Sequence, residues 1–199
     1  HTVNIKGCND LLCLTNPEII KDIHRMYLNA GADIIETNTF NAQRISMKDY
    51  RLEDICRDIN LAACRIAREI ADEYTSKTPD KPRFVAGAIG PTSKTCSISS
   101  DTTQPGWETF SFDNLKKAYL EQAEALLEGG VDAFIIETIF DTLNAKAAID
   151  SVRTAIRKSG KNVPIMLSFT VTGSEGYNML GQSIEKFIED ICGDDILSV

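Results

Sequence analysis

Two strings about a hundred residues apart each end an apolar run with a carboxylate and a threonine: Ile34-Ile35-Glu36-Thr37 and Ile135-Ile136-Glu137-Thr138. Each follows a Gly-x-Asp, at Gly31-Ala32-Asp33 and Gly130-Val131-Asp132, and each precedes a phenylalanine, Phe40 or Phe140. A carboxylate at a strand end can grip an ammonium group through a charge-assisted hydrogen bond. Hydroxyls and backbone N–H groups beside it can hold the acidic end of the same small molecule. The residues able to do so are Glu36, Thr37, Asn38, Thr39 and Phe40 in one string, Glu137, Thr138 and Asp141 in the other, with Gly90-Pro91-Thr92 and residues 170–176 between and beyond. Lys94 is almost the only base among them, so the set suits a ligand bearing a cation better than a phosphate. Alternatively, Glu36 and Glu137 cap loops by accepting backbone N–H groups, and spacing alone leaves both roles open. No Ser/His/Asp set is legible, and no carboxylate pair has a separation that sequence can fix.

Positioning these groups requires alternating helices and strands. Asn16-Pro17-Glu18 reads as a helix start, with Ile19, Ile23, Met26 and Tyr27 as its apolar stripe. A longer helix is expected from about residue 52 to 74, striped by Ile55, Ile59, Ala62, Ile66 and Ile70. Phe112-Asp113 reads as a staple and cap for a third helix. Thr142 begins a fourth, with Leu143, Ala147, Ile149 and Val152 inward, and Ser183 caps the last. Parallel strands are predicted near 33–37, 83–89, 133–137 and 164–170, adjacent in that order. Residues 92–112 form a long polar connection carrying the single tryptophan, Trp107.

Alternating units of this kind make either a (β/α)8 barrel or an open doubly wound sheet, and both carry their chemistry at the carboxyl ends of the strands. The open sheet usually has a Gly-rich first turn, which this chain lacks, so the pattern favours a partial (β/α)8 barrel of about four consecutive strands with outer helices. A strand ahead of the first helix is required by that pattern. The start, His1-Thr2-Val3-Asn4, has no initiator methionine and reads as a cut end.

A chain of 199 residues can bury one core, and 43% hydrophobic with 25% charged content is ordinary for a soluble domain. The net charge of -8 argues against nucleic acid or an anionic membrane as partner. No apolar run approaches the roughly 20 residues of a membrane span. Nothing reads as a secretory signal, so the cytoplasm is the expected location, with reduced thiols. None of Cys8, Cys13, Cys56, Cys64, Cys96 and Cys192 forms a Cys-x-x-Cys pair. Cys56 and Cys64 fit buried helix positions. His24 has no second ligand at i+4 and reads as a packing or surface residue.

The strings Gly7-Cys8-Asn9-Asp10-Leu11-Leu12, Glu36-Thr37-Asn38-Thr39-Phe40-Asn41, Ala86-Gly87-Ala88-Ile89-Gly90-Pro91-Thr92, Ile136 through Ala148 and Leu180-Gly181-Gln182 resemble the homocysteine-binding domain of cobalamin-dependent methionine synthase. The likeness runs in order over residues 1–199. It implies part of a zinc barrel that binds and activates homocysteine for methyl transfer from methylcobalamin, with folate (methyltetrahydrofolate) and cobalamin modules as further domains. It implies Glu137 as the holder of the homocysteine ammonium, Asn38, Thr39 and Phe40 at the amino-acid end, and Glu36, Thr138 and Asp141 in support. The family's three zinc cysteines stand in strings that this chain lacks, as does its first Asp-Gly-Gly strand, so the ligands are expected outside the chain and the piece alone is expected to be inactive. Gly173-Ser174-Glu175-Gly176-Tyr177 departs from the family's more usual Asp and basic residue. Two alternatives stay open: a cobalamin-independent homocysteine S-methyltransferase barrel using betaine or a methylsulfonium donor, and a non-catalytic half-barrel that binds an amino acid.

Overall fold

The structure is a computed structural model that describes residues 3–94, 111–172, 176–178, 180–191 and 193–199. Trp107, Cys96, Cys192 and residues 173–175 lie outside them. Five strands form one parallel sheet in sequential order: β1 (Ile34–Glu36), β2 (Phe84–Ile89), β3 (Ala133–Ile139), β4 (Ile165–Phe169) and β5 (Ile196–Ser198). The order never reverses about a switch point, so the doubly wound alternative is excluded and the partial barrel stands. Four strands fall where the sequence places them. The fifth, β5, adds to the count of four: it is as short as β1 but lacks the Glu-Thr string that ends β1 and marks β3.

The helices lie on one face. They are α1 (Leu12–Thr15), α2 (Pro17–Asn29), α3 (Arg44–Met47), α4 (Cys56–Lys77), α5 (Phe112–Glu128), α6 (Thr142–Ser159) and α7 (Ile184–Ile191). None among the described residues is long and apolar enough to cross a membrane. Alternate strand residues Ile35, Val85, Ile89, Phe134, Ile136, Ile165 and Leu167 pack with Ile70, Tyr119, Leu126 and Val152 of the helices into one buried cluster. Their neighbours of opposite parity, Ile34, Glu36, Phe84, Ala86, Ala88, Ile135, Glu137, Met166 and Ser168, must face the other way, toward what would be the barrel interior.

The repeated glycine and aspartate build the lower end of this sheet. Gly31 and Gly130 close helices at φ +106° and +84°, where a side chain would be strained. Asp132 then accepts the Val85 N–H at 2.8 Å and pairs with Arg68, while Asp33 pairs with Lys81 at 3.0 Å. The repeat therefore fixes where each strand begins as well as what it delivers at its end.

Four local expectations change. The α2 stripe of Ile19, Ile23, Met26 and Tyr27 lies outward, with Met26 69% exposed, and the buried residues are Ile20, His24 and Leu28. Both sides of this helix carry apolar residues, so periodicity alone could not choose the packed one. Leu143 is also partly exposed, at 37%, whereas Ala147, Ile149 and Val152 are buried. Helix α5 is capped by Ser111, whose Oγ accepts the Asn114 N–H at 3.2 Å, and Asn16 makes no side-chain cap on α2. The segment after Phe40 contains α3, capped by the Gln43 side chain.

Candidate functional site

At the carboxyl end of β1 the chain turns back over β2 through a closed ring of hydrogen bonds. The Ala88 N–H donates to Thr37 Oγ1 at 3.0 Å, and Thr39 Oγ1 donates to the Ala88 carbonyl at 2.7 Å. The two hydroxyls lie 2.7 Å apart, so Thr37 must supply the proton between them. Both threonines are buried and their hydroxyls are spent on this latch. Gln122, buried on α5, donates to the Thr39 carbonyl at 2.8 Å. Asp10 accepts the Asn41 N–H at 2.8 Å, and the Asn38 amide donates to the Asn9 carbonyl at 2.9 Å. Gly90 is required here: a Cβ would stand 2.5 Å from the Phe40 carbonyl oxygen and 2.8 Å from its ring. The 37–41 turn is thus clamped from three sides.

The end of β3 is irregular by construction. Its register with β4 slips one residue between Ile136 and Ile139, a β-bulge at Glu137-Thr138. Thr138 takes φ +55°, a conformation that a β-branched residue adopts only at a cost of about 1–3 kcal/mol. Such bulges re-aim side chains beside binding sites. Beyond it Asp141 caps α6, its Oδ1 accepting the Leu143 N–H at 2.9 Å and the Asn144 N–H at 3.3 Å. Asn144 donates to Thr92 Oγ1 at 2.9 Å, tying Gly90-Pro91-Thr92 to the same end. Asn178 donates to the Phe140 carbonyl at 3.2 Å and accepts the N–H groups of Leu180 and Gln182, both at 2.9 Å.

Between these ends opens a cleft of about 460 Å³. Glu36, Asn38 and Phe40 line it from β1 and its turn, Glu137 from β3, and Ile23, His24 and Tyr27 from α2. Neither the Glu36 nor the Glu137 carboxylate makes a hydrogen bond or ion pair to a described residue, unlike Asp10 and Asp141. The loop-capping alternative therefore fails for both. Burial pushes the Glu137 carboxyl up to about 7, and the Glu36 charge adds to the rise. Glu36 is itself raised by burial, although its side chain reaches solvent. Among the described residues, no lysine or arginine lines the cleft. His24 is driven down to about 4 by burial, and its Nε2 has no hydrogen-bond partner, so it contributes no cation at neutral pH.

The structure brings Glu36, Asn38, Thr39, Phe40 and Glu137 together around this cleft. Thr138 shapes the bulge, and Asp141 stands beyond Glu137 as a helix cap. Residues that the sequence does not single out include Gln122 and Asn178, buried amides with no flanking motif, and the wall formed by α2. For metal, the described residues do not fit: no three His, Cys, Asp or Glu groups converge among them. Cys8, Cys13, Cys56 and Cys64 are buried free thiols. Burial raises all four, the last two to about 12, so they are poor thiolate donors.

The arrangement has counterparts. Two solved forms of the homocysteine methyltransferase MmuM from Escherichia coli share this fold. The metallated form matches with a TM-score of 0.74 at 20% identity, over 95% of this chain and 64% of the other. The apo form matches with a TM-score of 0.67 at 21% identity, over 92% and 61%. The chain thus spans just under two thirds of the length of these relatives. The family model for homocysteine S-methyltransferase matches residues 2–199, and the chain belongs to that family.

Proposed function

We propose that this chain is the part of a homocysteine S-methyltransferase that holds the amino-acid end of homocysteine. Glu137 takes the ammonium, while Asn38 and Phe40 present the turn that receives the carboxylate. The observation that carries this reading is the pair of uncommitted carboxylates in a cleft that no described lysine or arginine lines. A half-buried carboxylate such as Glu137, without a partner, is disfavoured in its charged form, and an incoming ammonium offsets that. Thr39, whose hydroxyl is already engaged, supports the turn rather than the ligand. Thr138 and Asp141 serve the placement of Glu137, one through the bulge and one by starting α6 just after it.

The thiol end depends on groups beyond the described residues. Zinc is the metal implied by the sequence resemblance, and its ligands are assigned outside this chain. The same resemblance, through the Asn-Asp-Leu-Leu and Gly-Pro-Thr strings, favours the methionine synthase setting, with methylcobalamin as donor and folate and cobalamin modules on the same polypeptide. Methyl transfer assayed with methylcobalamin, betaine and a methylsulfonium compound separates the donors: activity with methylcobalamin alone supports that setting, and activity only with one of the others rejects it.

The grip is tested by titrating the complete domain with homocysteine and with a thiol of similar size lacking the amino group. Glu137→Gln keeps the shape and removes the charge. It should weaken homocysteine by ten- to a hundredfold, roughly 1.5–3 kcal/mol for a charge-assisted bond, and leave the amino-free thiol unchanged. Equal weakening of both ligands would mean that Glu137 is structural.

A further inference from the structure

Glu36 has no part in the grip as described, yet it lines the same cleft on the same interior face as Glu137, and it too lacks a partner. Resting on the amino-grip reading, we propose that Glu36 is a positioning residue that couples capture of the ammonium by Glu137 to release of a proton from the cleft. Burial already favours the protonated Glu137 acid, and the Glu36 charge across the same cleft, which no described lysine or arginine lines, adds to that preference, so the empty cleft retains a proton. An arriving ammonium supplies the missing positive charge. The O–H bond of the Glu137 carboxylic acid breaks, its proton leaves to solvent, and the carboxylate forms a hydrogen-bonded ion pair with the ammonium. Charge balances: each site that holds the proton gives it up as one cation enters.

Among the described residues, nothing around Glu137 would supply the charge instead. From α2 come His24, neutral at pH 7, and Tyr27; from β1 comes Glu36. On the far side stand Tyr119 of α5, whose phenol is pushed up by burial, and Asp141, which caps α6. The free-site proton therefore sits on the carboxylates. This arrangement also discriminates. A neutral analogue cannot displace the proton, whereas an amino acid can.

The test uses methionine as probe, because it carries the ammonium but no thiol proton to confuse the count. Calorimetric titrations of the intact protein that carries this chain, in buffers of different ionisation enthalpy, read the protons released. With Glu137 titrating at about 7, about half a proton should leave per methionine bound at pH 7, and affinity should tighten about tenfold from pH 6 to pH 8. Glu36→Gln should move this step to lower pH. A residue that merely packs would change affinity by the same factor at every pH. No proton release in the unsubstituted protein, or an unmoved step in the folded Glu36→Gln variant, overturns the proposal. If Glu137→Gln still weakens methionine in either case, the amino-grip reading survives alone. If Glu137→Gln has no effect, both fall.

Discussion

At the scale of single residues, the site trades stability for readiness. Glu137 has a carboxyl raised to about 7 in the fold and near 4.5 when unfolded. The folded state therefore binds the extra proton between those values, and stability falls as pH rises from about 4.5 through about 7. Glu137→Gln should relieve this. Thermal unfolding without ligand should show the variant more stable than the parent at pH 8, by about 1 kcal/mol after allowance for solvent screening, and level with it at pH 4. An equal offset at both pH values would detach the effect from the proton. Gly90 makes the opposite bargain. Gly90→Ala drives a methyl into the Phe40 carbonyl and ring, and should cost about 1–3 kcal/mol in denaturant unfolding. Among these residues, sequence shows Glu36 and Glu137 because a charge ends an apolar run. It cannot show that Thr39 spends its hydroxyl on Ala88, because that partner lies 49 positions away.

At the scale of elements, α4 and α2 mark where pattern suffices and where it does not. On α4 only one face is apolar, so Ile59, Ala62, Ile66 and Ile70 are buried as the 3.6-residue period predicts. On α2 two apolar faces compete, and the side that meets α4 and β1 carries Ile20, His24 and Leu28 instead of the broader stripe. The outward stripe is not idle, since Ile23 and Tyr27 form a wall of the cleft. Leu28→Ala should cost about 2–5 kcal/mol in urea unfolding, while Met26→Lys should stay within about 0.5 kcal/mol. The reverse order of costs would mean that α2 is rotated from the orientation described. The bulge in β3 was equally hidden. Glu137-Thr138 reads as ordinary strand, and only the slip against β4 reveals the turn that aims the carboxylate.

At the scale of the molecule, the order of strands was legible because each βα unit carries its own start and stop signals, repeated along the chain. Strand β5 was not, because its Ile196-Leu197 is not followed by the Glu-Thr string that makes the equally short β1 legible. Among the described residues, nothing covers the interior face or the β1 edge of the five-stranded sheet, and Ile34 and Phe84 are each 44% exposed. An apolar face beside an open strand edge favours association. The isolated chain should therefore bind a hydrophobic dye and scatter light increasingly with concentration, and a monomer that binds no dye and unfolds cooperatively would refute this. The central claim, that Glu137 is the ammonium grip of a homocysteine site, is tested most directly by an experimental structure of the complete domain with homocysteine bound. The ligand nitrogen should lie within about 3 Å of a Glu137 carboxylate oxygen, between that residue and the turn at Asn38 and Phe40. A ligand whose amino group points away from Glu137, with the carboxylate left facing solvent, would contradict it.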